Sequence, residues 1–137
     1  MAHYELGLAL IKTGQWEASL PEMQAAVVCT PNSAQLHFYS GAVQLRLKHI
    51  PEATAEFENS LRIDPDHFLA NLKYGEMLLR EGDAVAALPK LSRAVKVDPN
   101  SAEAHASLAD AYQLLGKAQD AEQERAKAVK LKEQPPE

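Results

Sequence analysis

The tetrapeptide Asp64-Pro65-Asp66-His67 has two counterparts in the chain, Thr30-Pro31-Asn32-Ser33 and Asp98-Pro99-Asn100-Ser101. The three prolines are separated by 34 residues and then by 34 residues again. A fixed period between about 20 and 50 residues is typical of a stacked repeat array. This phrase therefore divides the chain into four repeats, at about 1–33, 34–67, 68–101 and 102–133.

Each repeat contains two stretches with the periodicity of an amphipathic helix, and no stretch alternates with the period of two that favours a strand. Gly14, Gly82 and Gly116 lie between the two stretches, where a left-handed residue ends a helix at little cost. Lys48 takes this place in the second repeat and is expected to be strained. The pattern predicts an all-α chain with helices at 2–13, 16–29, 34–47, 50–63, 68–81, 84–97, 102–115 and 118–132.

The proline phrase itself forms the second turn of each repeat. Proline disfavours a helical conformation in the residue before it. The Asn or Asp that follows the proline (Asn32, Asp66 or Asn100) is expected to cap the next helix, and Asp83 is expected to cap the helix after Gly82.

Residues of one size recur at the same place in successive repeats. Small residues let two helix backbones approach closely, so their positions are expected to mark helix crossings. One such position holds Gly7, Gly41, Gly75 and Ala109. A position of large apolar residues holds Met23, Phe57 and Leu91. Cys29 shares its position with Ile63, Val97 and Leu131, and it is therefore expected to be a small, inert, buried hydrophobe.

The 34-residue, two-helix unit resembles the tetratricopeptide repeat (TPR). The third repeat carries the resemblance most clearly, in Tyr74-Gly75, Glu81-Gly82-Asp83, Ala86-Ala87-Leu88, Ala94-Val95 and Val97-Asp98-Pro99-Asn100. The second repeat is weakest, because Ser40 and Gln44 occupy places that are usually apolar. The resemblance implies a right-handed α-α superhelix (solenoid) of four helix-turn-helix repeats. It also implies a single domain over 1–133, with a frayed tail at 134–137.

TPR arrays usually bind peptides, helices or other protein surfaces in a concave groove lined by their first helices. The resemblance thus implies a non-enzymatic interaction module that binds a peptide or helix of a partner protein. The carboxylate clamp of some TPR domains is not expected, because only Lys73 keeps the charge that it needs. The groove is expected to be mainly apolar and to be lined by Tyr4, Leu8, Ile11, Phe38, Ala42, Leu45, Leu69, Leu72, Glu76 and Leu79.

Lys12, Arg46 and Arg80 form a cationic ladder that follows the period. They could contact an acidic segment of a partner. Each also lies in the last turn of a helix, where the helix dipole favours a cation by roughly 0.3–1 kcal/mol. The solvated-surface interpretation is preferred, and the partner contact stays open.

Three histidines, His3, His37 and His105, share one position of the repeat. Packed helices lie about 8–10 Å apart, so these rings are too far from one another to converge on one metal ion. They are expected to be packing residues with satisfied ring nitrogens.

The first helix is apolar around most of its circumference, and a helix of that kind is normally buried. An alternative function is therefore a structural assembly or oligomerisation domain that acts through an uncapped N-terminal repeat, with Leu6 and Leu10 at the interface. The chain is also expected to be the C-terminal part of a longer TPR protein, because Glu122 and Arg125 make the last helix polar, as a cap requires.

The composition excludes several classes of function. A net charge of −5 argues against nucleic-acid partners, which need clustered Lys and Arg. The chain has no apolar run of about 18 residues that would span a membrane, and residues 1–5 lack the features of a signal peptide. A cytoplasmic location is therefore expected.

Few residues of the chain could form a catalytic, metal or cofactor site. The single cysteine excludes an intramolecular disulfide and a multi-cysteine zinc site. No phosphate loop, nucleophile elbow or His-Glu-x-x-His motif is present. We therefore expect no catalytic residue, metal or cofactor.

Overall fold

A computed structural model of the chain describes residues 2–133, which form eight α-helices and contain no strand. The predicted helices are all present, and each observed end lies within one residue of the predicted one. The all-α prediction is confirmed, while the predicted tail at 134–137 lies outside the described residues. The helices are α1 (Ala2–Lys12), α2 (Trp16–Cys29), α3 (Ala34–Arg46), α4 (Ile50–Ile63), α5 (Phe68–Arg80), α6 (Ala84–Val97), α7 (Ala102–Leu114) and α8 (Ala118–Glu133).

The chain divides into two compact units, Met1–Ala70 (unit 1) and Asn71–Glu137 (unit 2), with the boundary inside α5. In unit 1, α1 packs on α2, α2 on α3, and α3 on α4. In unit 2, α6 packs on α7 and α7 packs on α8. The single domain over 1–133 stays a prediction.

The small residues of the first helices lie at helix crossings, as predicted. A Cβ atom built on Gly41 would lie 2.9 Å from the ring of Phe57. A Cβ atom on Gly75 would lie 2.6 Å from the side chain of Leu91. Both large residues are fully buried, so the missing side chain of each glycine is the space that the large residue of the paired helix fills.

The turn inside each repeat is closed by a left-handed residue. Gly14, Gly82 and Gly116 have φ values of 75°, 82° and 77°. Lys48, with φ 65°, is the one non-glycine residue with positive φ among residues 2–133. This confirms the predicted strain, which costs roughly 1–2 kcal/mol for a residue with a Cβ atom.

The predicted caps after the proline are wrong by one residue. Ser33 Oγ accepts a hydrogen bond from the third backbone N–H of α3 at 3.2 Å, and Ser101 Oγ does the same for α7 at 3.1 Å. The Asn or Asp before the cap belongs to a local turn instead, in which Asp98 Oδ1 accepts from the backbone N–H of Asn100 at 3.1 Å. The predicted cap at Asp83 is confirmed, at 3.1 Å.

Cys29 is exposed, which contradicts the prediction that it is buried. It is the last residue of α2, and Val97, the last residue of α6 at the same place in its repeat, is also 39% exposed. At the same position of the other two repeats, Ile63 and Leu131 are half-buried, so burial at this helix end differs between repeats. None of the helices within residues 2–133 has the length and apolar character needed to cross a membrane.

Candidate functional site

An apolar surface on α1 and α3 is the candidate site in unit 1. We call it the aromatic face and define it by residues that are all half-buried: Tyr4, Leu8, Ile11, Tyr39, Ala42 and Leu45. The rings of Tyr4 and Tyr39 join the two helices, with centroids 6.1 Å apart and planes inclined by 52°. This is a favourable tilted arrangement for two aromatic rings. The other members follow at helical spacing and therefore share the same face.

Phe38 lies beneath this surface rather than on it. Its side chain is only 5% exposed, and its ring centroid lies 5.3 Å from that of Tyr39 and 6.1 Å from that of Phe57. Leu72, in unit 2, is 1% exposed. Both were expected to line the groove, and the structure corrects this: they are core residues, and Phe38 supports the Tyr39 ring.

Polar side chains border the aromatic face near the start of α3. Gln35 Nε2–H donates to Tyr39 Oη at 3.5 Å, and Gln35 Oε1 accepts from His67 Nε2–H at 2.9 Å. Burial raises the pKa of Tyr39, and the neighbouring Tyr4 adds to the shift, so the phenol stays protonated at neutral pH. Sequence reasoning missed Gln35 and His67 because they lie 32 residues apart.

His67 takes the cap position that serine takes in two other repeats. Its Nδ1 accepts a hydrogen bond from the third backbone N–H of α5 at 3.1 Å. Because Nε2–H donates and Nδ1 accepts, the ring is neutral. Burial lowers the pKa of His67, although the charge of Asp64 acts in the opposite direction.

Replacing His67 with serine is expected to remove an acid sensitivity of the fold. The folded-state pKa lies below the ordinary value of 6.5. The stability linked to this ring is therefore present above that value and is lost as the pH falls through the folded-state pKa. Urea unfolding at pH 7.5 and at pH 5 should show a smaller acid loss for His67→Ser, which keeps a cap, than for the unchanged chain. An equal loss in both would contradict this role for His67.

Unit 2 presents a charged surface at the corresponding positions. Lys73 Nζ lies 3.0 Å from Glu103 Oε2 and 3.5 Å from Glu76 Oε1, and Ser107 Oγ donates to Glu76 Oε2 at 2.8 Å. Lys73 is thus engaged by two carboxylates. Leu79 is half-buried beside them, and Leu69, which belongs to unit 1, is 38% exposed.

The pKa values of Glu76 and Glu103 shift in opposite directions. Burial raises the pKa of Glu76, and a hydrogen bond with Glu103 raises it further. The same hydrogen bond lowers the pKa of Glu103. Burial alone would lower the pKa of Lys73, but its bonds to the two carboxyl groups outweigh burial and raise it.

The three residues of the cationic ladder are exposed. This agrees both with a solvated surface and with contact to an acidic segment of a partner. Lys12, Arg46 and Arg80 are the last residues of their helices. The guanidinium carbon of Arg46 lies 5.0 Å from the ring centroid of Trp16. This is a cation–π contact, which positions the Arg46 side chain over the Trp16 ring. Lys12 and Arg46 belong to unit 1, and Arg80 belongs to unit 2.

Two of the three aligned histidines are buried with both ring nitrogens bonded, which confirms their prediction as packing residues. His37 bonds Glu56 through Nδ1 at 3.1 Å and the carbonyl oxygen of Pro31 through Nε2 at 2.7 Å. His105 bonds Glu124 through Nδ1 and the carbonyl oxygen of Pro99 through Nε2. His3 is exposed and pairs with Glu22, so the packing prediction is wrong for this residue.

The chain resembles larger proteins over part of their length. It is 30% identical over 99 residues to human protein O-mannosyl-transferase TMTC2, which covers 70% of this chain and 12% of that protein. It is 26% identical over 116 residues to anaphase-promoting complex subunit 3 of Schizosaccharomyces pombe, which covers 85% of this chain and 17% of that protein. The chain therefore spans less than a fifth of the length of these relatives.

Solved structures share the fold. MamA of Desulfovibrio magneticus, from residue 41 to its end, matches with a TM-score of 0.88 at 24% identity, over 95% of this chain and 73% of that one. YrrB, described as a TPR protein with an unusual peptide-binding site, matches with a TM-score of 0.82 at 18% identity, over 95% of this chain and 67% of that one. These likenesses show the fold alone.

Two family models described as tetratricopeptide repeat match residues 40–95 and 78–136. They agree with the 34-residue period, the eight helices and the solved structures of the same fold. The chain therefore belongs to the tetratricopeptide repeat family, an all-helical solenoid fold of protein–protein interaction modules.

Proposed function

We propose that the aromatic face of unit 1 binds an apolar segment of a partner protein. The observation that carries this proposal is the half-buried pair of Tyr4 and Tyr39, whose rings are 6.1 Å apart on neighbouring first helices. Tyrosine is enriched among the residues that dominate binding energy, because it combines a large apolar ring with a polar tip. Leu8, Ile11 and Leu45 extend the apolar area along the same face, and such patches mark interaction sites.

The two ends of the aromatic face differ in charge, and this gives the bound segment a direction. Lys12 and Arg46 lie at the end formed by the last turns of α1 and α3. Neutral His67 and Gln35 lie near the beginning of α3. We expect the partner to be an amphipathic helix or extended peptide with apolar side chains against the rings and an acidic residue at the cationic end.

Alanine at both Leu8 and Tyr39 is expected to weaken the affinity of such peptides about tenfold or more, because two central apolar contacts are lost. Peptides can be selected from a displayed 16-residue library on the unchanged chain, and their Kd values measured by fluorescence anisotropy. A matched control is Leu114→Ala, which removes an apolar side chain that is 63% exposed in unit 2. Equal affinity in the Leu8 and Tyr39 variant, with helicity retained, would exclude the aromatic face.

The structural assembly function remains the second candidate, because Leu6 is 49% exposed on α1. Leu10, on the same helix, is half-buried. The Leu6→Lys variant distinguishes peptide binding by the aromatic face from assembly through α1. Binding by the aromatic face predicts unchanged peptide affinity in this variant, whereas assembly through α1 predicts a lower mass in light scattering than that of the unchanged chain.

A further inference from the structure

Unit 1 also contains an open pocket on the other side of α3, with a volume of about 430 Å³. Its lining includes two residues from each of α2, α3 and α4: Val27, Val28, Ser40, Gln44, Glu52 and Glu56. Successive residues of a helix are rotated by about 100°, so Ser40 and Gln44 point away from the side of α3 that carries Ala42. The volume lies within the range of about 300–1,000 Å³ that ligand pockets occupy.

The pocket arises from an irregularity in the second repeat. The place of Ser40 is taken by Leu6, Tyr74 and Leu108 in the other repeats, and that of Gln44 by Leu10, Leu78 and Tyr112. A large apolar side chain is thus replaced by a small hydroxyl group at the first of these places. A serine leaves room beside α3 that a leucine or tyrosine side chain would take.

The hydroxyl group of Ser40 faces this space. Ser40 is 2% exposed, and its Oγ has no hydrogen-bond partner within residues 2–133. Every fully enclosed side-chain nitrogen or oxygen in that range does have a partner, so the Ser40 oxygen must reach the pocket. Because no group in the described part of the chain bonds this hydroxyl, it can donate to or accept from a ligand in the pocket.

The rim of the pocket is acidic and its wall is apolar. Glu52 and Glu56 are one turn apart on α4, an arrangement in which two like charges repel each other. Glu56 Oε2 bonds His37 Nδ1 at 3.1 Å, while Glu52 forms no ion pair within the part of the chain that is described. Val28 is 80% exposed on the facing helix.

We propose that this pocket binds an arginine side chain of a partner protein. The alkyl stem lies against Val27 and Val28, and the guanidinium group lies between the carboxylates of Glu52 and Glu56. One of its N–H groups donates to Ser40 Oγ. A guanidinium group offers five donors in a rigid plane and keeps its charge at any physiological pH, which suits a site with three acceptors and an apolar wall.

The test uses n-butylguanidinium as the probe and n-butylurea as its neutral counterpart of similar shape, in ¹⁵N–¹H NMR titrations of the whole chain. The guanidinium compound is expected to shift the backbone amide signals of Ser40 and Gln44 saturably, and the urea compound is not. Glu52→Gln should weaken binding by about two- to fivefold, the effect of one partly exposed ion pair. Ser40→Leu, which introduces the leucine found at this place in the fourth repeat, should abolish binding.

Glu58→Gln is the matched control, because it removes the same charge from another face of α4. Equal shifts with n-butylurea, equal weakening by Glu52→Gln and Glu58→Gln, or full binding by Ser40→Leu would each overturn the proposal. Circular dichroism reports whether Ser40→Leu folds, and Ser40→Ala combined with Glu52→Gln takes its place if it does not. The peptide affinity of the aromatic face is expected to be unchanged in all these variants.

Discussion

Replacing His105 with alanine is expected to lower the free energy of unfolding by about 2–4 kcal/mol, because two buried hydrogen-bonding groups lose their partner and a buried ring is removed. Only 5% of the His105 side chain and 12% of the Glu124 side chain are exposed. The ring also bonds the carbonyl oxygen of Pro99 at 2.7 Å. The ring is thus the hydrogen-bond partner of two groups on different parts of unit 2. Alanine would leave a carboxylate and a carbonyl group buried without this partner.

The chain contains its own control for this experiment. His3 and Glu22 form the same pair 19 residues apart, but 56% of the His3 side chain is exposed. An exposed pair contributes about 0–1 kcal/mol, so His3→Ala should have little effect. The measurement is urea unfolding of the two variants, followed by circular dichroism. Similar losses in both would show that burial does not determine the strength of this contact.

Replacing Phe57 with alanine is also expected to lower the free energy of unfolding by about 3–5 kcal/mol. The side chain is fully buried, it fills the space over Gly41, and its ring centroid lies 6.1 Å from that of Phe38. Truncation would leave a cavity at the crossing of α3 and α4. A helix crossing can close such a cavity only in part, because other side chains hold the two backbones apart.

Arg125 occupies the same place in the fourth repeat and provides the control for Phe57. Its side chain is 47% exposed and lies 3.6 Å from the carboxylate of Asp110. We expect Arg125→Ala to change the free energy of unfolding by less than about 1 kcal/mol. Thermal and urea unfolding of both variants test this difference. If Phe57→Ala were as mild as Arg125→Ala, the crossing would not depend on the buried ring.

The helices could be predicted because local signals delimit them. Gly82 ends one helix and Asp83 caps the next, and both act within a few residues. The small residue at each crossing is also predictable, since it recurs with the period of the repeat. The burial of individual side chains was harder to predict than the positions of the helices. The helical position of Phe38 predicts that it lies on the binding surface, but its side chain is buried against the rings of Tyr39 and Phe57.

The contacts between distant residues could not be obtained from periodicity. The period aligns His37 with His105, but it does not show that each bonds a glutamate 19 residues further along. The sequence shows that Ser40 departs from the pattern of the other repeats. Its consequence, an open pocket, depends on the space that three packed helices leave unfilled. His67 caps α5 because its Nδ1 accepts a hydrogen bond from the backbone N–H of Ala70. A histidine at this position does not by itself indicate that its ring is oriented in this way.

The matched sizes at each helix crossing also determine how this array can be rearranged. Gly41 lies opposite the ring of Phe57 in the second repeat, whereas the fourth repeat has Ala109 and the exposed Arg125 at the same two places. A first helix that carries alanine, placed against Phe57, would bring a Cβ atom to about 2.9 Å from the ring. Duplication or shuffling of single helices would therefore damage the crossings. The helix pair is the smallest segment that evolution or an engineer can exchange within this chain.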